Sequence, residues 1–255
     1  MRNAEKSWLK KLIVGCLVLI VLLAGLIGLL LYYGYIWPNN PSRSQYPVRG
    51  IDVSEHQGEV DWQAVKEAGF DFAFIKASEG MDYRDRYFSQ NWQQSAAAGM
   101  IRSAYHFFTF KSPGLEQARN FIAAVPYEPD CLPPTIDVEF GGNSKEMPEK
   151  ERLQAELNDF IQEVKNTYYK SPILYVTYDS YEKYIAGNFE DCVIWIRDLF
   201  HTAKLKDGRS WMFWQYNCRG RVDGIKGFVD LNVFRGDAAE LRGLTSANSY
   251  ALIYR

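Results

Sequence analysis

From Val48 to Asn232, short β-rich apolar runs alternate with stretches of helical periodicity, and this alternation limits the fold more than any other feature of the chain. The runs 49–53, 72–77, 101–107, 134–139, 172–177, 193–196, 212–216 and 229–232 are predicted strands. The intervals between the early strands carry helix signals. Asp61 is placed to cap a helix that runs through Ala68 and stops at Gly69. Residues 87–98 form a second helix ahead of Gly99. Ser112 and Pro113 open a third, through Val125, with the proline in its first turn. Leu153, Leu157, Phe160, Ile161 and Val164 line one face of a fourth. Such alternation implies a mostly parallel sheet with helices outside, and eight strands of this kind close most simply into a barrel. The connections after Ile196 and Tyr216 are loop-like and too short for full crossover helices. The expectation is an α/β fold, a TIM-like barrel of eight strands with about five helices, (β/α)5(β)3. A doubly wound open sheet is the alternative, but no GxGxxG follows the first strand.

Ahead of this domain, residues 12–33 form an apolar run without a charge, about the 20 residues that a bilayer core requires. Arg2, Lys6, Lys10 and Lys11 precede it, and the next charge is Arg43. This asymmetry predicts a single-pass transmembrane anchor in the cell membrane, with residues 1–11 cytoplasmic and everything beyond it extracellular. Trp8 on one side and Tyr32, Tyr33, Tyr35 and Trp37 on the other suit the two interfaces. A cleaved signal peptide is the competing expectation. Its apolar stretch is normally shorter, about 7–15 residues, and ends in a small-x-small site; none stands between Tyr32 and Tyr46. Residues 34–47 read as a linker, and the Pro-, Asn- and Ser-rich part from Pro38 reaches at most about 35 Å. The barrel is expected over 48–240 and a tail over 241–255.

Composition removes several functions. A formal charge of −2 implies no strongly basic face, so nucleic acid is not an expected partner. The 15% aromatic content suits a core and a sugar-binding cleft alike. Cys16 lies in the apolar run, so Cys131, Cys192 and Cys218 permit one disulfide at most, and no CxxC pair occurs. His56, His106 and His201 lack metal-ligand spacing. No metal, nucleotide or flavin motif is present, no cofactor is expected, and the chain is expected to be a monomer.

In a barrel of this type, polar residues at the C-terminal ends of strands are the catalytic candidates. Four carboxylates fall there: Asp52 on the first strand, Asp137 and Glu139 on the fourth, and Asp230 in the eighth. Asp137 and Glu139 are two residues apart, so they share one face of a strand while Ile136 and Val138 take the other. Two carboxylates on an inward face repel and are costly to desolvate. An edge strand with a wet face, or a carboxylate–lysine pair inside the barrel, is the plain structural alternative. Glycosidic cleavage uses such a pair: one carboxyl stays protonated to donate to the leaving oxygen, and another is ionised beside the developing positive charge. Glu139 is expected as the acid and Asp137 as the ionised partner.

Seven segments in order now resemble one family over roughly 48–234. They are Gly50-Ile51-Asp52-Val53-Ser54-Glu55-His56-Gln57-Gly58, Phe74-Ile75-Lys76-Ala77-Ser78-Glu79-Gly80, Ala104-Tyr105-His106-Phe107, Ile136-Asp137-Val138-Glu139, Ile173-Leu174-Tyr175, Trp214-Gln215-Tyr216 and Val229-Asp230-Leu231-Asn232. The chain resembles glycoside hydrolase family 25, the lysozymes of the Chalaropsis type. The resemblance implies a barrel with fewer than eight helices and hydrolysis of the β-1,4 bond from N-acetylmuramic acid to N-acetylglucosamine in peptidoglycan. It implies Glu139 as proton donor, Asp137 beside the reacting sugar, and Asp52 and Asp230 at the cleft floor. Tyr105, Tyr175, Trp214 and Gln215 are implied as substrate contacts. Lys76 matches a family lysine that either meets substrate or pairs with a barrel carboxylate. The chain departs from the family at Arg197, where a small residue is common. The charges Arg197, His201, Lys204, Lys206 and Arg209 are either solvated or aimed at stem-peptide carboxylates and anionic wall polymers. A glucosaminidase or chitin-directed hydrolase, and a non-catalytic glycan-binding wall protein, are the rival readings.

Overall fold

A computed structural model describes residues 2–143 and 147–246. The chain divides into two units, Met1–Pro38 and Asn39–Arg255. The first holds one helix, α1 (Arg2–Tyr32). Its Ser7–Tyr32 stretch has a mean hydropathy of 3.1 and is long and apolar enough to cross a bilayer. The side chains of Arg2 and Lys6, and residues 247–255 of the expected tail, lie outside the described residues.

Every expected strand is present in the second unit. The elements are β1 (Arg49–Val53), β2 (Phe72–Glu79), β3 (Tyr83–Arg84), β4 (Ile101–Phe107), β5 (Thr135–Val138), β6 (Ile173–Val176), β7 (Val193–Arg197), β8 (Phe213–Gly220) and β9 (Val229–Phe234). β3 is a short antiparallel partner of β2. The other eight close a barrel, because β1 pairs with β2 on one side and with β9 on the other. Of these eight, β1, β2 and β4 to β8 run parallel around the barrel, but β9 is antiparallel to both of its neighbours. β9 is the exception in the mostly parallel sheet. Only residues 221–228 join β8 to β9, and a parallel crossover needs about a dozen or more.

The early connections carry α2 (Trp62–Glu67), α3 (Phe88–Ala97), α4 (Gly114–Ala124) and α5 (Lys150–Tyr168). α6 (Tyr178–Ser180) runs on into a π turn over Tyr181–Ile185 before β7, and α7 (Ala238–Gly243) follows the barrel. Asp61 caps α2, accepting from Ala64 N at 3.1 Å, and Gly69 ends it at φ +84°. Pro113 takes the cap position of α4 rather than its first turn. Gly114 then lets α4 approach α5: a Cβ there would stand 1.7 Å from the Glu156 carbonyl oxygen.

Strand residues alternate between two buried layers. Ile51, Ile75, Ala104, Ile136, Leu174 and Ile194 face the helices. Phe72, Phe74, Tyr175, Trp195, Phe213 and Phe234 fill the barrel's interior. Phe74 stacks on Trp195 with ring centroids 3.9 Å apart. This aromatic plug fills the interior below the mouth, so the parallel strands' C-terminal ends open onto a floor rather than a pore.

Residues 39–47 fold against the barrel instead of standing extended. Asn39 Nδ2 donates to the carbonyls of Asp198 (3.2 Å) and His201 (2.9 Å). Arg49 donates to the Pro41 carbonyl. Tyr46 is buried against Trp211 and Trp214, with centroids 6.0 and 5.8 Å away. Cys131, Cys192 and Cys218 are all free thiols.

Candidate active site

β5 presents its acids as its alternation requires. Ile136 and Val138 are fully buried toward the helices, and Asp137 points into the barrel between Phe107 of β4 and Tyr175 of β6 in register. Asp137 is 8% exposed, and its Oδ1 is buried with no hydrogen-bond partner. Glu139 lies one residue past the strand and is half-buried. The loop behind it is pinned by Asn143, whose Nδ2 donates to the Glu139 carbonyl at 2.8 Å and the Phe108 carbonyl at 3.1 Å, while its Oδ1 accepts from Phe110 N at 2.9 Å. Asn143 was not among the residues expected to matter. An Asn four residues after Glu139 is the only sequence signal it offers.

Asp52 and Asp230 form a second carboxyl pair. They stand opposite each other in the β1–β9 register. Because β9 runs the other way, Asp230 reaches the mouth from a strand's N-terminal end, not a C-terminal one. Asp52 Oδ2 accepts from Gln215 Nε2 at 3.1 Å and Asn232 Nδ2 at 2.8 Å. Trp195 Nε1 holds Asn232 Oδ1 at 2.9 Å, and the Tyr175 hydroxyl donates to Gln215 Oε1 at 2.8 Å. Asn232 and Trp195 therefore belong to the site as residues that orient Asp52. Gln215 is 4% exposed with both ends of its amide engaged inside the barrel. Its expected role as a substrate contact gives way to one of positioning. Tyr175, 6% exposed, likewise spends its hydroxyl on Gln215.

Trp214 requires a correction. It neighbours Gln215 on β8, so it points to the other side, where it is 1% exposed among Tyr46, Trp211 and Tyr216. Its indole N–H donates to the Asp198 carbonyl at 2.8 Å. It cannot touch a sugar in the mouth. Tyr105 faces inward, half-buried, in register with Lys76 of β2 and Thr135 of β5. Lys76 pairs with Glu79 at 2.7 Å and lies over the Phe107 and Tyr83 rings. Of the basic loop, His201 and Lys206 are exposed, and Lys206 pairs with Glu182 at 2.6 Å. Arg209 is structural, donating to the carbonyls of Asn188, Phe189 and Cys192.

Burial dominates the acids' titration. It pushes Asp52 up to about 6, against the donors Asn232 and Gln215, which favour the carboxylate. Burial and the Asp52 charge hold Asp230 well above the carboxylate range. Burial and the neighbouring Glu139 raise Asp137 well above that range too. Glu139 is raised by burial, but Arg197 and Lys76 counter the rise.

A half-buried carboxyl with a raised pKa, at a barrel mouth that holds three further buried or half-buried acids, can protonate a leaving oxygen and carry negative charge beside a cationic centre. The family model for Glycosyl hydrolases family 25 matches residues 51–225. The protein YegX of Escherichia coli O6:H1 is 38% identical over 224 residues, covering 83% of this chain and 79% of that one. Lysozyme M1 of Streptomyces globisporus is 34% identical over 211 residues, 78% of this chain and 71% of that one. A family 25 glycosyl hydrolase structure from Bacillus anthracis superposes with a TM-score of 0.77 at 40% identity, covering 80% of this chain and 96% of that one. With the barrel, its acidic mouth and these relatives in agreement, the chain belongs to glycosyl hydrolase family 25.

Proposed function

We propose that this glycoside hydrolase is a muramidase that cleaves the β-1,4 bond between N-acetylmuramic acid and N-acetylglucosamine in peptidoglycan, held at the cell membrane by α1. The observation that carries the chemistry is the pair Asp137 and Glu139 at the end of β5, in a barrel that also pairs Asp52 with Asp230 across β1 and β9. Glu139 is the proton donor: its carboxyl is raised and sits at the rim, where a glycosidic oxygen can reach it. Asp137 lies beside the reacting sugar, its carboxyl pointing into the barrel mouth from β5. As positive charge builds on that sugar, it favours ionisation of the neighbouring carboxyl. Tyr105 lines the floor, and Lys76 holds Glu79 at the rim. The name of Lysozyme M1 supports this substrate.

For location, the support is the span Ser7–Tyr32 together with the lysines at 10 and 11 before its uncharged stretch. The orientation that follows puts the barrel outside the cell, with the N-terminus in the cytoplasm.

Purified sacculi digested by the full chain, followed by mass spectrometry of the fragments, test the reaction. Muramic acid at the new reducing ends is the expected product. Glucosamine there would make the protein a glucosaminidase instead. Glu139→Gln should lower kcat by about 10²–10⁴, the range for loss of a general acid, with an unaltered melting temperature. Retained turnover would remove Glu139 from the acid role.

A further inference from the structure

Two cations reach into the mouth, and they differ in what they hold. Lys76 is committed to Glu79 at 2.7 Å. Arg197 ends β7, two residues beyond Trp195, which fills the barrel's interior, so by strand alternation Arg197 points inward as well. It stands in register beside Gln215, the residue that bridges Tyr175 and Asp52. The acids Glu139 and Asp230 are near enough to act on its charge. Yet among the described residues no carboxylate lies within 4.0 Å of its guanidinium, unlike Lys76, Arg86, Arg102, Arg119 and Lys165, each of which has an acidic partner at that range. The Cys218 thiol is near enough to act on it, but a thiol is a weak partner. A half-buried guanidinium with its fork unmatched is desolvated without the bidentate contact that it is shaped to make.

We propose that Arg197 is a specificity-determining residue that binds a carboxylate carried by the muramic acid side of the glycan. This deepens the muramidase reading and rests on it. Chitin-like chains of N-acetylglucosamine carry no carboxylate, so the same contact selects peptidoglycan over them. The carboxylate has two sources. It belongs either to the stem peptide or, on a strand stripped of peptide, to the lactyl group itself. A guanidinium–carboxylate fork recognises both by the same geometry. The alternative role for Arg197 is to balance the charge of the four acids; that role acts on any substrate equally.

The test compares the full-length enzyme with its Arg197→Met variant on two polymers at one pH and low ionic strength. One is purified sacculi. The other is the same sacculi after carbodiimide-driven amidation of their carboxylates. The readout is the ratio of kcat/KM on untreated to amidated polymer. Wild type should show a ratio about tenfold or more above that of Arg197→Met, carried by KM, and the gap should shrink as salt is added. Arg197→Lys, which keeps the charge but loses the fork, should give an intermediate ratio; it also serves if the Met variant fails to fold. Equal ratios for wild type and both variants on sacculi, with equal kcat/KM on peptide-stripped strands as well, would overturn the proposal and leave Arg197 a charge-balancing residue. Muramic reducing ends released by wild type in the same digests show separately that the muramidase reading stands. Strands stripped by an amidase then assign the source. A variant deficit that persists on them places the lactyl carboxylate on Arg197, and one that disappears places the stem peptide there.

Discussion

At the scale of single residues, the site is built against stability. Asp52 has a folded pKa of about 6 against an ordinary 3.8, a difference on the order of 3 kcal/mol. The sign follows from proton binding. Between those values the folded chain holds a proton that the unfolded chain has released, so this group's contribution declines as pH rises through that window and stays unfavourable above it. Asp52→Asn should therefore raise the melting temperature by several degrees at pH 7 and lose that advantage below about pH 4. The Asn oxygen can accept from Gln215 and Asn232 as Oδ2 does, and its amide can donate to Asp230. Thermal melts across pH check this, and an unchanged melting temperature at pH 7 would refute the strain. The same variant should lose activity, as expected where a catalytic cleft stores unfavourable charge. The inward turn of Asp137 was legible in the sequence, because Ile136 and Val138 mark the other face. The upward shift of its pKa was not, since that depends on burial and on the nearness of Glu139, which no spacing records.

At the scale of elements, the segment after α1 is part of the barrel unit. Tyr46 is buried in an aromatic cluster with Trp211 and Trp214, and Asn39 ties the segment to the loop after β7. Tyr46→Ala should lower the unfolding free energy of the barrel by about 3 kcal/mol, read by urea denaturation. A change under about 0.5 kcal/mol would mean that the segment is only a tether. Its Pro, Asn and Ser content reads as linker because those residues cap and turn as readily as they solvate. The single aromatic that docks it carries no periodic signal. The strands and helices α2 to α5 were legible for the opposite reason: each has a buried face that repeats at its own period.

For the whole molecule, the proposed anchor and the barrel divide the work between concentration and chemistry. Removing residues 1–38 leaves the second compact unit whole. That truncated protein should be soluble and should digest isolated sacculi with an unaltered kcat. In cells its cutting should fall, because tethering raises the effective concentration near the wall. Fractionation followed by muropeptide analysis checks both halves, and full-length protein found free in the medium would end the anchored reading.

What the sequence determined alone was the order of elements, the closed barrel and the acidic strand ends, since each follows from local periodicity and chain length. Tertiary structure decided three further points. The direction of β9 depends on how eight residues can span the space after β8. The outward turn of Trp214 and the inward turn of Gln215 and Arg197 were hidden because both faces of a barrel strand are buried. An apolar residue then fits either layer, and only closure of the sheet settles which face looks into the cleft.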